Sequence, residues 1–111
     1  MKIIVCGSRG YVDRARIRER LMELPAVSEI MHGDARGADR IAGSVANELS
    51  MDVWVYPAPW SQGRQAGVVR NLVMLAQHPD LVLAFWDGES PGTKHMITAA
   101  RKRGIPVEVI S

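Results

Sequence analysis

A layered α/β fold, one parallel sheet covered on both faces by helices, is what this chain predicts, on three observations. Five apolar runs alternate with four stretches of helical periodicity. The runs are mostly continuous rather than alternating, as expected of strands buried on both faces. Three of the strand ends open into loops of small and polar residues, and each loop leads into a helix.

Lys2 to Cys6 reads as the first strand, and Gly7-Ser8-Arg9-Gly10 as the loop after it. Asp13 is placed to cap a helix running to about Leu24, with Ile17, Leu21 and Leu24 inward and Pro25 as its stop. Val27 to Met31 is the second strand. The loop from His32 leads into a helix from about Gly37 to Ser50, where Ile41, Ala42, Val45, Ala46 and Leu49 recur at helical spacing. Asp52 to Tyr56 is the third strand, and Ala58 to Arg64 the one long loop. A helix from about Gln65 to Gln77 carries apolar residues on two sides (Val68, Val69, Leu72, Val73, Leu75, Ala76), which predicts deep packing. Leu81 to Trp86 is the fourth strand and Asp87 to Gly92 a polar loop. The last helix, about Thr93 to Arg103, ends in a basic triplet suited to its dipole, with Gly104 as its cap. Pro106 to Ile110 is the fifth strand. Right-handed crossovers and the long third connection give strand order 3-2-1-4-5, a Rossmann-like three-layer fold of half size.

At 111 residues the chain suits one domain with a single core. Its 47% apolar content is that of a folded protein and excludes disorder. The longest apolar run, Leu81 to Trp86, cannot span a bilayer, and Ile3 to Cys6 is too short for a signal peptide. The reading is a cytoplasmic protein without membrane contact. The one cysteine, Cys6, sits in an apolar run and reads as a buried small hydrophobe. His32, His78 and His95 are scattered, so neither a metal nor a cofactor is expected. A net charge of +2 does not argue for nucleic acid. Eleven of the 14 basic residues are Arg, however, the side chain suited to bidentate contact with phosphate or carboxylate. Arg14, Arg16, Arg18 and Arg20 share one helix with Asp13, Glu19 and Glu23 and read as a solvated face.

In a sheet of this order ligands bind beyond the carboxyl ends of the strands, where strands 1 and 4 diverge. Three loops converge there: Gly7 to Gly10, His32 to Gly37, and Asp87 to Thr93. Taken alone, Gly33 and Gly37 mark an ordinary strand-to-helix turn. The recurrence of such loops points further, to backbone N–H groups at helix starts that can hold a phosphate or carboxylate. Gly7, Ser8 and Arg9 of the first loop, Gly33, Asp34, Arg36 and Gly37 of the second, and Asp87, Gly92 and Thr93 of the third are the candidate contacts. Thr93 taken singly reads as an N-cap. The first loop lacks the third glycine of a dinucleotide fingerprint, and no P-loop or nucleophile elbow is present.

With Ile4 to Arg9, His32 to Asp39, Ala66 to Met74, and Phe85 to Gly88 followed by Gly92-Thr93 as its motifs, the chain resembles the SLOG superfamily, above all its small single-domain YspA-like or YAcAr members, related to the Lonely-guy phosphoribohydrolases and to DprA. Ile4 to Arg9 looks like the opening strand and loop. His32-Gly33-Asp34-Ala35-Arg36-Gly37-Ala38-Asp39 is similar to HGxAxGAD, and Ala66 to Met74 to AGxxRNxxM. Phe85-Trp86-Asp87-Gly88 with Gly92-Thr93 corresponds to the last loop. The resemblance implies a nucleotide-derived ligand, with Arg70 and Asn71 added to the contacts, and assembly through helices, for which the helix near Val68 to Ala76 is available. It also places Met96 where Lonely-guy enzymes carry a catalytic glutamate. A thioether can neither accept a proton nor stabilise an oxocarbenium ion.

The leading reading is therefore a module that binds a nucleotide or nucleotide-derived signal, as sensor or sequestering protein. The alternative is an N-glycosidase resembling a phosphoribohydrolase, with Arg70 and one of Asp34, Asp87 or Glu89 as catalytic groups. A third, binding of single-stranded DNA as in DprA, has only six aromatic residues and modest charge behind it. Arg70 has a structural reading beside the functional one, an ion pair with Asp34, Asp39 or Asp87. Asp39 reads as a first-turn carboxylate complementing the helix dipole, His32 as hydrogen-bonded scaffold, and His95 as a surface residue. Trp86 either packs or stacks on a base, and Trp60 is the candidate lid.

Overall fold

A computed structural model of the chain describes every residue except Trp60, Gln62 and Arg64. The lid role read for Trp60 lies outside the described residues. Strands β1 (Lys2–Gly7), β2 (Glu29–His32), β3 (Asp52–Val55), β4 (Leu81–Phe85) and β5 (Val107–Ile110) form one parallel sheet in the order β3-β2-β1-β4-β5. Helices α1 (Arg14–Met22) and α2 (Ala38–Glu48) cover one face, and α3 (Ala66–Leu75) and α4 (Pro91–Lys102) the other.

The pleat assigns residues to the two layers. Ile3, Val5, Ile30, Leu83 and Phe85 pack with Ile17, Leu21 and Val45 on the α1/α2 side. Their neighbours Ile4, Cys6, Met31, Val82 and Ala84 pack with Met74, Met96 and Ile97 on the other. Side chains alternate across a strand, so β1 and β4 need apolar residues at successive positions, which is why their sequences are continuous. Arg14 and Arg18 both reach Glu48 on the solvent side of α1 and α2, exposed pairs of small energetic weight. Among the described residues no helix is long and apolar enough to cross a membrane.

Several boundaries differ from the sequence reading, for identifiable reasons. Pro25 does more than stop α1. Ser28 N–H donates to Pro25 O at 3.0 Å, closing a turn that leaves Val27 83% exposed, and β2 starts only at Glu29, opposite Lys2. Leu24 lies in the turn after α1 yet still packs on the same core. Helix α4 begins at Pro91, two residues ahead of Thr93. Proline fits the first helical position, where its missing N–H has no intrahelical acceptor. Thr93 therefore lies inside the helix and is buried, so it is not the N-cap. The largest departure is α3. Its predicted deep packing is not observed: Val69, Leu72 and Val73 are 36–49% exposed, while Ala66, Asn71, Met74 and Leu75 face inward. Only one side of α3 rests on the sheet, and a polar residue occupies part of that side.

Gly7 ends β1 where the sheet order reverses. A Cβ there would overlap the carbonyl oxygen of Phe85 and would lie 2.5 Å from Ala38 Cβ. Neither neighbour is a flexible side-chain end. Gly7→Ala is expected to destabilise the protein by about 1–3 kcal/mol, read as a lower urea midpoint. An unchanged midpoint would show that β1, β4 and α2 can separate there without penalty.

Candidate functional site

The three loops meet at the carboxyl ends of β1, β2 and β4, and a cleft of about 680 Å³ opens between them and α3. That volume lies in the range of small-molecule sites. Ser8 holds the junction together. Its N–H donates to Phe85 O (2.9 Å), its hydroxyl oxygen accepts from Asp87 N–H (2.9 Å), and its carbonyl accepts from Tyr11 N–H (3.1 Å) and Ala38 N–H (3.4 Å). With 1% of its surface exposed, Ser8 does not line the cleft. Gly37 is a second scaffold position. Its φ of 87° and the close approach of the Ser8 and Arg9 carbonyls leave no place for a side chain.

The second loop is organised by Asp39, a residue 4% exposed. Asp39 Oδ2 accepts from Gly33 N–H at 2.9 Å and Ala35 N–H at 3.4 Å. The Asp34 N–H between them donates to His32 Nδ1 at 3.0 Å, which puts the imidazole proton on Nε2. Burial lowers the His32 pKa, keeping the ring neutral at physiological pH. The amides of Gly33 and Asp34, two residues read from the sequence as ligand contacts, are thus committed with that of Ala35 to the protein's own carboxylate and imidazole. Asp39 is more than a complement to the helix dipole. It shapes the loop.

Arg70 enters the same junction from α3. Its Nη1 donates to Gly33 O at 2.6 Å and Tyr56 O at 3.4 Å, and its Nε to Asn71 Oδ1 at 3.0 Å. A Cβ on Gly33 would overlap the guanidinium. Among the described residues Arg70 forms no ion pair with Asp34, Asp39 or Asp87. Burial pulls its pKa down while Asp39 pulls it up, and the side chain remains a cation. Asn71, buried beside it, donates through Nδ2 to Gly92 O at 3.3 Å and to His95 Nδ1 at 3.1 Å. Arg70 and Asn71 thereby fix the distance between the second loop and the start of α4.

In the third loop Asp87 Oδ1 accepts from Glu89 N–H at 2.8 Å and Ser90 N–H at 3.0 Å. Those bonds hold its pKa below the ordinary aspartate value, so it stays ionised. Trp86 donates from Nε1 to Ser90 O at 3.1 Å and packs on the core, bracing the loop instead of lining the cleft. The N–H groups of Gly92 and Thr93, in the first turn of α4, have no protein acceptor among the described residues, and both residues line the cleft. The unmatched helix-start donors read from the sequence are therefore present at α4.

Of the candidate residues, Gly7, Arg9, Arg70, Asn71, Asp87, Gly92 and Thr93 line the main cleft. Gly33, Asp34 and Arg36 line a smaller adjoining hollow with Arg9 and Arg70. Glu89 lines neither. His95, read as a surface residue, lines the cleft, and so do Val68 and Met74. Spacing carried that signal: His95 follows Gly92 by three residues, and Gly67, Asn71 and Met74 recur at i, i+4 and i+7, each set on one helical face. Met96 is fully buried in the core and absent from the cleft wall. Among the described residues no group of three or more His, Cys, Asp or Glu could hold a metal ion.

Comparison with known proteins bears on this arrangement. The sequence pattern of the YAcAr family, described as the YspA, cpYpsA-related SLOG family, matches residues 1–63. The Gene 61 protein of Mycobacterium phage D29 is 35% identical over 116 residues, covering 96% of this chain and 93% of that protein. Among solved structures, UDP-GlcNAc 2-epimerase from Neisseria meningitidis bound to UDP-GlcNAc superimposes with a TM-score of 0.59 at 20% identity. The match covers 99% of this chain and 32% of the epimerase, so the chain spans about a third of that enzyme, and the likeness is one of fold.

Burial pushes the Asp39 carboxyl from 3.8 up to about 6, against the opposing pull of Gly33 N–H and Arg70. A carboxyl whose pKa is higher folded than unfolded binds its proton more tightly in the native state. The stability it adds is complete below about pH 4 and is lost as pH rises through about 6. Wild type measured against Asp39→Asn should accordingly lose on the order of 2–3 kcal/mol of relative stability between pH 4 and pH 7. Urea unfolding at several pH values checks this, and parallel curves for the two proteins would contradict it.

Proposed function

The chain belongs to the YspA, cpYpsA-related SLOG family, and from that premise we propose that it binds a nucleotide-derived ligand in the cleft between β1, β4 and α3, as a sensing or sequestering module. The observation that carries the reading is the division of the cleft wall. Val68, Met74 and Cys6 offer an apolar surface suited to a base. Arg9, Arg70 and the unmatched N–H groups of Gly92 and Thr93 offer positive charge and donors to a phosphate. The two carboxylates in the wall weaken this little, because Asp39 is turned onto Gly33 and Ala35 and Asp87 onto Glu89 and Ser90.

Asp87 supports a second reading, cleavage of an N-glycosidic bond, because it is the one catalytic carboxylate candidate in the main cleft. Held ionised, it is suited to stabilising positive charge on a sugar but not to donating a proton. Asp34 lies in the adjoining hollow, paired with Arg40 at 3.3 Å. At Met96 a glutamate would bury its charge in the apolar core, so substituting Met96→Glu would not place a carboxylate at the cleft. Binding without turnover is the better supported reading.

A thermal-shift panel of nucleoside mono-, di- and triphosphates, ADP-ribose and its cyclic forms, cyclic dinucleotides and UDP-sugars tests both readings. The UDP-sugars enter because the epimerase that shares the fold was solved with one. Each stabilising compound is then incubated and analysed by mass spectrometry. Recovery intact supports binding, recovery as free base and a sugar phosphate makes the protein an enzyme, and no stabilisation by any compound would overturn the proposal. Arg9 is exposed in the cleft wall. Arg9→Ala should weaken the bound nucleotide about tenfold or more, roughly 1.4 kcal/mol, while the free protein changes stability by about 0.5 kcal/mol or less.

A further inference from the structure

The main cleft does not end at Arg70. Beyond Arg70 and Arg9 lies the adjoining hollow, about 320 Å³, which shares Arg9, Ala35 and Arg70 with the larger one. Arg36 and Arg40 complete its basic lining, and Asp34 is the one carboxylate in it. That carboxylate is already engaged, since Arg40 Nε donates to Asp34 Oδ1 at 3.3 Å and to Asp34 O at 3.1 Å. Arg9 and Arg36 have no ion-pair partner among the described residues, and Arg70 Nη2 makes no hydrogen bond there. Three guanidinium charges thus border one concave space without a matching negative charge from the described residues.

The backbone does not supply that charge either. The Gly33, Asp34 and Ala35 amides point to Asp39 and His32, so the hollow would attract an anion through side chains alone. Like charges gathered in a concavity raise the local positive potential, and planar guanidinium groups match the oxygens of phosphate pairwise. We infer that this hollow is a second phosphate subsite, and that the ligand is a nucleotide with two phosphate groups, the further one reaching past Arg70 to Arg36. The inference rests on the nucleotide reading of the main cleft. Two forms of ligand share this chemistry, a 5′-diphosphate chain and a nucleotide phosphorylated on two different hydroxyls.

Isothermal titration of the full chain against the 5′-monophosphates, 5′-diphosphates and 3′,5′-bisphosphates of adenosine and guanosine, and against inorganic pyrophosphate, tests it. For whichever base binds, a two-phosphate form should bind about tenfold or more tighter than the monophosphate, and the form that does so identifies the source of the second phosphate. Arg36→Gln should bring that ligand down to the affinity of the monophosphate, and Arg36→Lys should keep part of the advantage. Equal affinity for the mono- and two-phosphate ligands overturns the subsite and leaves the nucleotide reading intact, as does an advantage that survives in an Arg36→Gln protein with a normal melting curve. Pyrophosphate bound in an Arg36-dependent way, with no nucleotide bound, supports the subsite and overturns the nucleotide reading. Failure of pyrophosphate and of every nucleotide overturns both.

Discussion

Three polypeptide segments cross within hydrogen-bonding distance at the end of β1, and the crossing leaves no volume for side chains at Gly7 or Gly37. Ser8 supplies the bonds: one residue ties β4, the start of α2 and the Asp87 loop to the central strand. Because the sheet order reverses beside β1, this is also where the two helical layers part and a cleft opens. A closely packed, internally bonded junction therefore forms the rim of the cleft. Its groups are held in place by the protein's own bonds, which would limit the ordering required of a ligand site there.

Arg70 belongs to the same framework. A guanidinium drawn partly out of water would ordinarily be matched by a carboxylate. Here two carbonyl oxygens and an amide oxygen take its N–H groups, satisfying hydrogen bonds without cancelling charge. The carboxylate that could have matched it, Asp39, is turned toward backbone amides. The positive potential of the cleft thus follows from how two buried polar groups are partnered, beyond the number of arginines in the chain.

Much of this was legible in the sequence, and the limits of legibility are physical. Continuous apolar strands and capped helices predicted the layers and the strand order because both faces of a central strand must be apolar. Loop membership predicted which segments border the cleft. Partner choice was not predictable, since nothing in His32 to Asp39 says whether its amides face a ligand or Asp39. In α3, counting apolar residues misled because the inward face includes Asn71 while Val69, Leu72 and Val73 lie outside. Where α3 borders the cleft a polar residue takes an inward position, so apolar periodicity is least informative there. Trp86 shows the same limit: its indole binds its own loop instead of opening toward the cleft.

Cys6 gives the fold a consequence of another kind. It is the single cysteine of the chain and lies at the floor of the cleft, 8% exposed, beneath the junction just described. Burial, reinforced by Asp39, pushes its thiol pKa upward, so in the native protein it stays un-ionised and presents little of its surface to an alkylating reagent. Its labelling rate becomes a clock for the opening of the layer between β1 and α3, built into the chain without any engineered probe.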